Sequence, residues 1–195
     1  MSHYYTKEQE TPFHITKIHA VLNGKEYEFF TAPGVFSKDK VDFGTKLLSE
    51  HFIVGKQDTV LDLGCGIGIL GRVAAEHTEE QVILVDVNPR AVQLARMNTK
   101  HFSNTEVMES DAYYALKGMQ FDVILLNPPQ TAGKKLCFAM IADAKHHLKK
   151  GGNLQVVARH NKGGASLSAH MKEVFGNVET IVKRGGYRVY ISRLE

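Results

Sequence analysis

The feature that most constrains the fold of this chain is an alternation of short apolar runs with longer amphipathic segments, which begins at Thr59. The apolar runs show little polar alternation, which is typical of strands covered on both faces of a sheet. The predicted strands are TVLDL, QVILVD, TEVMES, FDVILLN and NLQVVAR, and helices are predicted at residues 41–52, 69–77, 89–102, 138–148 and 164–175. The helix at 138–148 is expected to end at Lys149-Lys150-Gly151-Gly152, a typical helix stop. Strands that alternate with helices predict an α/β fold with a parallel sheet.

The two ends of the chain depart from this alternation. Asn23-Gly24 separates two strand-like runs within residues 16–31, and because both residues tolerate positive φ they predict a β-hairpin. The last two strand-like runs, NVETIVK and YRVYISR, flank Gly185-Gly186 too closely for a crossover helix, so one of them must be antiparallel. We therefore predict a Rossmann-like, seven-stranded, mostly parallel sheet with one antiparallel strand near the C-terminus, helices on both faces and an N-terminal β-hairpin extension.

Length and composition favour one soluble domain. The 195 residues suit a single domain with a polar tail at 1–14, a hairpin and loop at 15–42 and a core at 43–195. No apolar run approaches the roughly 20 residues of a membrane span, and Cys65 and Cys137 lie too far apart to suggest a disulfide framework. Because a signal peptide is also lacking, we expect a cytoplasmic protein. The formal net charge of +3 permits a nucleic-acid partner without requiring one.

A glycine-rich segment, DLGCGIG at residues 62–68, follows the first core strand and opens a helix. Glycines there let the backbone approach a ligand without interference from a Cβ, although a plain structural turn would also explain them. Asp86 ends the second core strand, where an acid can accept both hydroxyls of a ribose. Asp62 could meet a cationic end of the ligand or simply cap a turn. Asp111 could accept from an adenine amine or cap a short helix at 112–116. Together these residues predict a nucleoside cofactor.

The fourth core strand ends at Asn127-Pro128-Pro129-Gln130. Two prolines stop strand pairing abruptly, stiffen the backbone and aim the Asn127 side chain outward. An amine on an aromatic ring is a poor nucleophile because its lone pair is delocalised. The Asn127 amide oxygen and the Pro128 carbonyl can hold the two amine hydrogens and turn the lone pair toward an electrophile. Catalysis at such a site would rest mainly on positioning and electrostatic alignment.

These motifs together resemble class I S-adenosylmethionine methyltransferases over residues 43–195. DLGCGIG resembles the first motif of that family, Asp86 the acidic second, Asp111 the adenine-side third, and N-P-P the fourth motif of the amino-methylating members. A dehydrogenase shares the glycine pattern, but the D-x-G-x-G-x-G form and the N-P-P turn count against it. The resemblance implies S-adenosyl-L-methionine as the cofactor. The implied cofactor-binding residues are Asp62, Gly64, Cys65, Gly66, Gly68, Asp86, Val87, Asp111, Ala112 and Asn127.

A second resemblance narrows the family further. GVFS at 34–37 and VDFGTKLL at 41–48 resemble the segment that precedes the catalytic core of RsmC-type small-subunit ribosomal RNA guanine-N2 methyltransferases. The stand-alone archaeal members are similarly short and also carry N-P-P-x-x-A-G-K, here NPPQTAGK at 127–134. The resemblance implies methyl transfer to the N2 amine of a guanine in rRNA or tRNA, with Asn127 and Pro128 as catalytic residues. It also implies that the GVFS loop covers the cofactor and that Phe36 and Ser37 line the site.

The chain departs from its relatives at Gln130, where most carry an aromatic ring that stacks on the target base. Phe36, Phe138 and Tyr187 are candidates to replace that ring, although each also suits a core position. Lys134 lies near the reaction loop, which we define as the segment that begins at Asn127. Its side chain could contact a phosphate, with a solvated surface position as the alternative. The predicted substrate-binding residues are Phe36, Gln130, Lys134 and Tyr187. The histidines and cysteines lack metal-ligand spacing, so we expect no metal.

Two other functions remain open from the sequence. A protein-glutamine N5-methyltransferase would use the same chemistry, but that class typically needs an aromatic residue after N-P-P. An inactive cofactor-binding scaffold is the other alternative, and the intact Asn127 and glycines count against it. The favoured interpretation is an RNA methyltransferase whose target guanine is extruded into the pocket.

Overall fold

The computed structural model describes residues 13–195, so most of the predicted tail at 1–14 lies outside the described part. Within that part the strands are β1 Thr16–Leu22, β2 Lys25–Thr31, β3 Val60–Leu63, β4 Val82–Asp86, β5 Thr105–Glu109, β6 Phe121–Leu126, β7 Leu148–Arg159, β8 Glu179–Arg184 and β9 Tyr187–Arg193. The helices are α1 Phe43–His51, α2 Ile69–Ala75, α3 Pro89–Thr99, α4 Lys134–Ala144 and α5 Gly164–Phe175, with 3-10 turns at Gln130–Ala132 and His160–Lys162. Among the described residues, no helix has the length and apolar character needed to cross a membrane.

Strands β3 to β9 form one sheet in the order β5-β4-β3-β6-β7-β9-β8. Neighbours from β5 to β7 in that order are parallel, and β9 runs antiparallel to both β7 and β8. The predicted seven-stranded fold with one antiparallel strand near the C-terminus is thus confirmed. The strand order reverses between β3 and β6, and a crevice outside the carboxyl ends of the strands at such a reversal is the usual ligand site of this fold.

Helices cover both faces of the sheet. One face carries α1, α2 and α3, and the other carries α4 and α5. Because successive strand residues point to opposite faces, Val60 is buried against the helices α1 to α3, and Leu61 is buried against α4 and α5. The loops that follow the parallel strands therefore emerge together at one edge, where the predicted motifs meet.

The N-terminal hairpin packs onto the sheet domain through α2 and α3. Leu22 and Phe29 of the hairpin share an apolar core with Leu94 of α3. Asn98 of α3 accepts a hydrogen bond from the Phe30 amide at 2.7 Å and donates to the Phe30 carbonyl at 3.0 Å. These bonds join the hairpin edge to α3, so the loop that follows the hairpin is held over the carboxyl edge of the sheet.

The prediction of a helix end at Lys149–Gly152 is wrong, because these residues belong to β7. The pairing of β7 with β6 is irregular over this stretch. Gly151 has a φ of 82°, and an added Cβ at Gly152 would lie only 2.9 Å from the Asp122 carbonyl oxygen. The two glycines therefore permit an irregular strand and a close backbone approach, which in sequence look like a helix stop. Helix α4 correspondingly lies four residues earlier than predicted, from Lys134 instead of Phe138.

Candidate active site

A cavity of about 370 Å³ opens at the carboxyl edge of the sheet, where the strand order reverses. Its volume lies in the range of small-molecule sites in proteins. It is lined by Phe36, Gly64, Gly66, Val85, Asp86, Val87, Ala91, Ser110, Asp111, Ala112, Asn127, Pro128, Pro129, Leu136 and Met140. A smaller adjoining cavity includes Ser37, Thr45, Asp62, Cys65 and Asn127 among its lining residues. The predicted cofactor motif and the predicted reaction motif thus face one continuous space.

The loop after β3 brings its backbone to the cavity through glycine. Gly64 and Gly66 have φ values of 70° and 54°, which favour glycine over any residue with a Cβ. An added Cβ at Gly64 would meet no protein atom within 4 Å, so it would project into the open space of the cavity. The Cys65 amide donates to the Val85 carbonyl at 2.9 Å, which ties the loop to the neighbouring strand. Burial raises the pKa of the Cys65 thiol, so the thiol stays neutral.

Gly68, the third glycine of the motif, packs between two helices. It lines neither cavity. It precedes α2 with a φ of 83°, and an added Cβ would lie 3.0 Å from the Cβ of Ala95 in α3. The structure therefore places the third glycine of the motif where α2 crosses α3 closely, and the cofactor contact that the resemblance implies for it stays a prediction.

Asp86 organises the end of β4. Its carboxylate accepts hydrogen bonds from the backbone amides of Gly66 at 2.8 Å and Asn88 at 2.9 Å. Burial raises the pKa of the Asp86 carboxyl, and the bonds from the Asn88 and Gly66 amides oppose that shift. The Asn88 side chain also donates to the Gly34 carbonyl at 2.8 Å, which anchors the loop that carries Phe36. Asp86 thus joins the glycine loop to the strand end and still borders the cavity.

Asp62 is buried near the end of β3 and lines the smaller cavity. Its carboxylate accepts a hydrogen bond from the Gly71 amide at 2.8 Å. Burial, reinforced by the negative charge of Asp86, raises the pKa of the Asp62 carboxyl to about 7, against the lowering effect of the Gly71 bond. A buried acid with such a pKa is poised to ionise when a cationic group arrives.

The loop after β5 forms the third side of the cavity. The Ser110 hydroxyl donates to the Ala112 carbonyl at 2.8 Å and accepts from the Ala115 amide at 3.0 Å, which holds Ala112 at a φ of 44°. Residues 112–115 form turns and not a helix, so the alternative of Asp111 as the cap of a short helix there is wrong. Asp111 is exposed and lines the cavity. A non-glycine residue with positive φ beside a cavity is typical of functional sites.

The reaction loop after β6 is oriented by a side-chain clamp. The amide nitrogen of Asn127 donates to the Asp42 carboxylate and to the Thr45 hydroxyl oxygen, each at 2.9 Å. A carboxylate only accepts, so this pairing identifies the nitrogen of the amide and turns Oδ1 the other way. Within residues 13–195 no protein group hydrogen-bonds that oxygen. Asn127 therefore borders the cavity with an acceptor that has no partner in the described protein.

Asp42 itself is held firmly. The same carboxylate oxygen accepts from the Thr45 amide at 2.7 Å and from the Thr45 hydroxyl at 2.9 Å. This arrangement caps the N-terminus of α1. The helix cap and the orientation of Asn127 thus depend on one carboxylate. The role of Asp42 could not be read from the motif alone, since 85 positions separate it from Asn127.

Of the four predicted substrate-binding residues, only Phe36 lines the main cavity. Gln130 links two loops instead: its amide donates to the Lys162 carbonyl at 3.2 Å and accepts from the Arg159 amide at 3.3 Å. Lys134 is exposed at the start of α4. Tyr187 lies against Phe43, with ring centres 5.3 Å apart.

The candidate stacking residue Phe138 also lies outside the cavity. Its ring stacks on His170 of α5 at 4.2 Å. Leu136 and Met140, four residues apart on α4, line the cavity beside the prolines and were not predicted. The predicted start of α4 at Phe138 hid them, because a helix from Lys134 is needed to bring both to one face. Among residues 13–195, no group of histidine, cysteine or acidic side chains is arranged to hold a metal ion.

Comparison with known proteins places this geometry in context. A profile of the methyltransferase small domain matches residues 26–191. The uncharacterized protein YbxB of Bacillus subtilis (strain 168) is 33% identical over 192 residues, which cover 96% of each chain. The ribosomal RNA small subunit methyltransferase C of Cronobacter sakazakii is 35% identical over 166 residues, which cover 82% of this chain and 47% of the relative.

A solved structure shows the same likeness. The 16S rRNA N2 G1207 methyltransferase (RsmC) of T. thermophilus, in complex with AdoMet and guanosine, has a TM-score of 0.80 and 27% identity. That match covers 94% of this chain and 52% of the solved chain. This chain therefore spans about half the length of the RsmC relatives and nearly all of YbxB.

Proposed function

The chain belongs to the methyltransferase small domain family, and we propose that it methylates the exocyclic N2 amine of a guanine in RNA. The predicted similarity to RsmC-type class I S-adenosylmethionine-dependent methyltransferases is confirmed by the family profile and the RsmC likeness. The prediction of a methyltransferase and of S-adenosyl-L-methionine as its cofactor is confirmed with it. These matches favour an enzyme over the inactive scaffold that the sequence left open.

The residues around the cavity fit this cofactor. Two positive-φ glycines leave space that a Cβ would fill, and the carboxyl groups of buried Asp62 and half-buried Asp86 border that space. We assign Asp86 to the ribose hydroxyls, since a carboxylate held by backbone amides retains acceptor capacity. We assign Asp62 to the cationic amino-acid end and Asp111 to the adenine amine. The apolar side chains of Val87 and Ala91 suit the flat face of the adenine.

The cofactor supplies an electrophilic methyl group on a sulfonium. The protein holds the amine: Asn127 Oδ1 and the Pro128 carbonyl each accept one amine hydrogen, which turns the nitrogen lone pair away from both oxygens. The Pro128 carbonyl already accepts from the Gln130 amide at 2.8 Å, so it offers the amine its second lone pair. The methylated nitrogen then loses its proton to water, and no side chain with a tuned pKa is required.

The observation that carries this proposal is the Asn127 amide, whose nitrogen is taken by Asp42 and Thr45 while its oxygen borders the cavity. Support for RNA as the substrate comes from the likeness to proteins named as ribosomal RNA methyltransferases. Support for guanine N2 comes from the resemblance in GVFS and NPPQTAGK and from the name of the solved RsmC chain. The Gln130 side chain is engaged between loops, so we assign apolar contacts with the base to Phe36, Leu136 and Met140, which line the cavity.

The test is methyl transfer in vitro. The chain is incubated with S-adenosyl-L-methionine carrying a labelled methyl group and with small-subunit ribosomal RNA, tRNA or release factor, and RNA nucleosides are resolved by mass spectrometry. We expect labelled N2-methylguanosine from RNA and none with the Asn127→Ala variant. Label on a different nucleoside, or on a glutamine of the release factor, would refute the guanine assignment.

A further inference from the structure

A row of cationic and aromatic side chains crosses the sheet edge beside the reaction loop. Arg159 of β7, Tyr187 of β9 and Arg184 of β8 lie opposite one another in the strand pairing. Residues that pair directly across strands share a face of the sheet. Val157 and Val182, each two residues along the strand from one of the arginines, mark this as the face that carries α1. We define the Arg159–Arg184 row as Arg159, Tyr187 and Arg184, together with Phe43 of α1.

The aromatic part of the row is exposed at Phe43 and half-buried at Tyr187. Phe43 is 41% exposed, and its ring lies 5.3 Å from that of Tyr187. An added Cβ at Gly185 would come within 2.9 Å of the Phe43 ring, so the ring packs directly against the glycine turn between β8 and β9. A ring that is held in place and open to solvent can stack on a nucleobase at little entropic cost.

The cationic part of the row has no acidic partner. Arg159 and Arg184 are exposed, and within residues 13–195 neither forms an ion pair. Exposed Lys162 lies just beyond Arg159. By contrast, Arg193 at the far end of β9 is 3.2 Å from Glu179. Unpaired arginines at regular cross-strand positions suit successive phosphates of a nucleic-acid backbone.

The row is joined directly to the reaction loop. The Arg159 amide donates to the Gln130 side chain, which follows the two prolines. Phe43 follows Asp42, the residue that orients Asn127. A strand that leaves a base in the cavity beside Asn127 would therefore pass over this row.

We propose that the Arg159–Arg184 row docks the single-stranded RNA segment next to the target nucleotide, with the arginines on phosphates and Phe43 and Tyr187 under a neighbouring base. The inference rests on the proposed function, because it takes RNA as the substrate. It also supplies an aromatic contact that the chain lacks at Gln130. The occupant is RNA and not an acidic protein, since stacking rings between the cations match alternating bases and phosphates.

The test measures binding of a fluorescent single-stranded RNA of about 15 nucleotides by anisotropy over a series of salt concentrations. The Arg159→Ala/Arg184→Ala variant is compared with Lys172→Ala/Arg193→Ala, which removes the same charge at exposed sites away from the row. We expect the row variant to bind at least about tenfold more weakly, with the salt slope reduced by roughly 1.4, which corresponds to two lost phosphate contacts on a single strand. The control variant should keep the wild-type slope.

Phe43→Leu separates stacking from charge. It should weaken binding about fivefold or more while leaving the salt slope unchanged. Equal behaviour of the row and control variants, or equal displacement of the RNA by polyglutamate, would overturn the proposal. Binding is measured without methyl transfer, so its outcome is distinct from the proposed function: RNA that binds through the row without guanine methylation refutes only the proposed function. An RNA that is methylated but insensitive to the row refutes only the docking surface, and a chain that neither binds nor methylates RNA refutes both.

Discussion

Two loops at the same sheet edge are stabilised in opposite ways. The loop after β3 is held by groups close to it in the fold and recognisable in its motif: its glycines take positive φ, and Asp86 accepts from the Gly66 amide at 2.8 Å. The loop after β6 turns at Asn127-Pro128-Pro129, with no glycine before Gly133, and depends on side chains from distant segments. Asp42 and Thr45 hold Asn127, and Gln130 reaches the backbone of residues 159–162.

This difference separates two tasks of the enzyme. The cofactor loop needs backbone shape, which glycines and one strand-end acid provide. In the role that we propose, the reaction loop must present the amide oxygen of Asn127 and not its nitrogen, and an asparagine without hydrogen-bond partners could present either. The Asp42 carboxylate removes that ambiguity because it can only accept. We therefore expect changes at the two loops to separate cofactor affinity from turnover.

The largest effect should follow from Asn127→Ala, which deletes the acceptor in the reaction loop. We expect kcat to fall by about 100-fold or more, comparable to the loss of one aligned polar group at other active sites. The dissociation constant for S-adenosyl-L-methionine, measured by calorimetry, should change little because the glycine loop is intact. Asn161→Ala, at an exposed position, is the control and should behave as wild type. A parallel loss of cofactor affinity would mean that the two loops are not separable.

A smaller loss should follow from Asp42→Asn, which keeps the shape and helix-capping ability of the residue but can also donate. An asparagine at position 42 can pair with either the nitrogen or the oxygen of the Asn127 amide. The amide would then adopt both orientations, so we expect kcat to fall about 10- to 100-fold. Thermal stability and cofactor affinity should stay near wild type, as should all properties of the Asp39→Asn control. Wild-type turnover in Asp42→Asn would show that the clamp does not orient the amide.

Two glycines of the cofactor motif should respond differently to alanine. Gly68→Ala combines positive φ with a close approach to Ala95, so we expect a loss of about 2 kcal/mol in the free energy of unfolding with little change in cofactor affinity. Gly64→Ala has open space around its Cβ, so its cost to folding should be smaller and its cost to cofactor affinity larger. Urea unfolding and calorimetry measure the two quantities, and identical behaviour of both variants would contradict these roles.

The smallest expected effect is the pH dependence of stability and of cofactor binding that arises from Asp62. Burial raises the pKa of Asp62 to about 7 in the folded chain, so this group favours folding below its unfolded pKa near 4. That contribution is lost as the pH rises through 7. We expect cofactor binding to have the opposite dependence, because we assign the cationic end of the cofactor to the ionised Asp62 carboxylate.

We expect the cofactor dissociation constant to rise by up to about tenfold per pH unit below 7. Asp62→Asn keeps an acceptor for the Gly71 amide, so it should bind more weakly at pH 8 and lose most of the pH dependence. Calorimetry from pH 5.5 to 8 is the measurement. A flat profile in the wild-type protein would show that Asp62 does not meet the cationic end.

The contrast between the loops also explains what the sequence could predict. The core strands, the glycine loop and Asp86 follow from patterns that are local in sequence, and the fold predicted from them is confirmed. The clamp on Asn127 joins residues 82 and 85 positions apart, and no local pattern encodes such a pairing. Gly68 belongs to the motif in sequence but serves helix packing, because a small residue is needed for both purposes.

Errors at α4 and β7 share a physical cause. Gly151 and Gly152 suit either a helix stop or an irregular strand, and only the pairing of β7 with β6 decides between them. That choice shifted the predicted helix, which removed Leu136 and Met140 from the expected site. Residues that act through tertiary contacts are therefore the ones that sequence patterns miss.

The central claim is that Asn127 presents an oxygen to the target amine, and a crystal structure with S-adenosyl-L-methionine and guanosine tests it most directly. We expect the guanine N2 atom about 3 Å from Asn127 Oδ1, with Nδ2 still bonded to Asp42. The methyl carbon should lie about 3 to 3.5 Å from N2 on the opposite side. A methyl group that points away from Asn127, or a guanine held with its N2 atom away from Oδ1, would contradict the account.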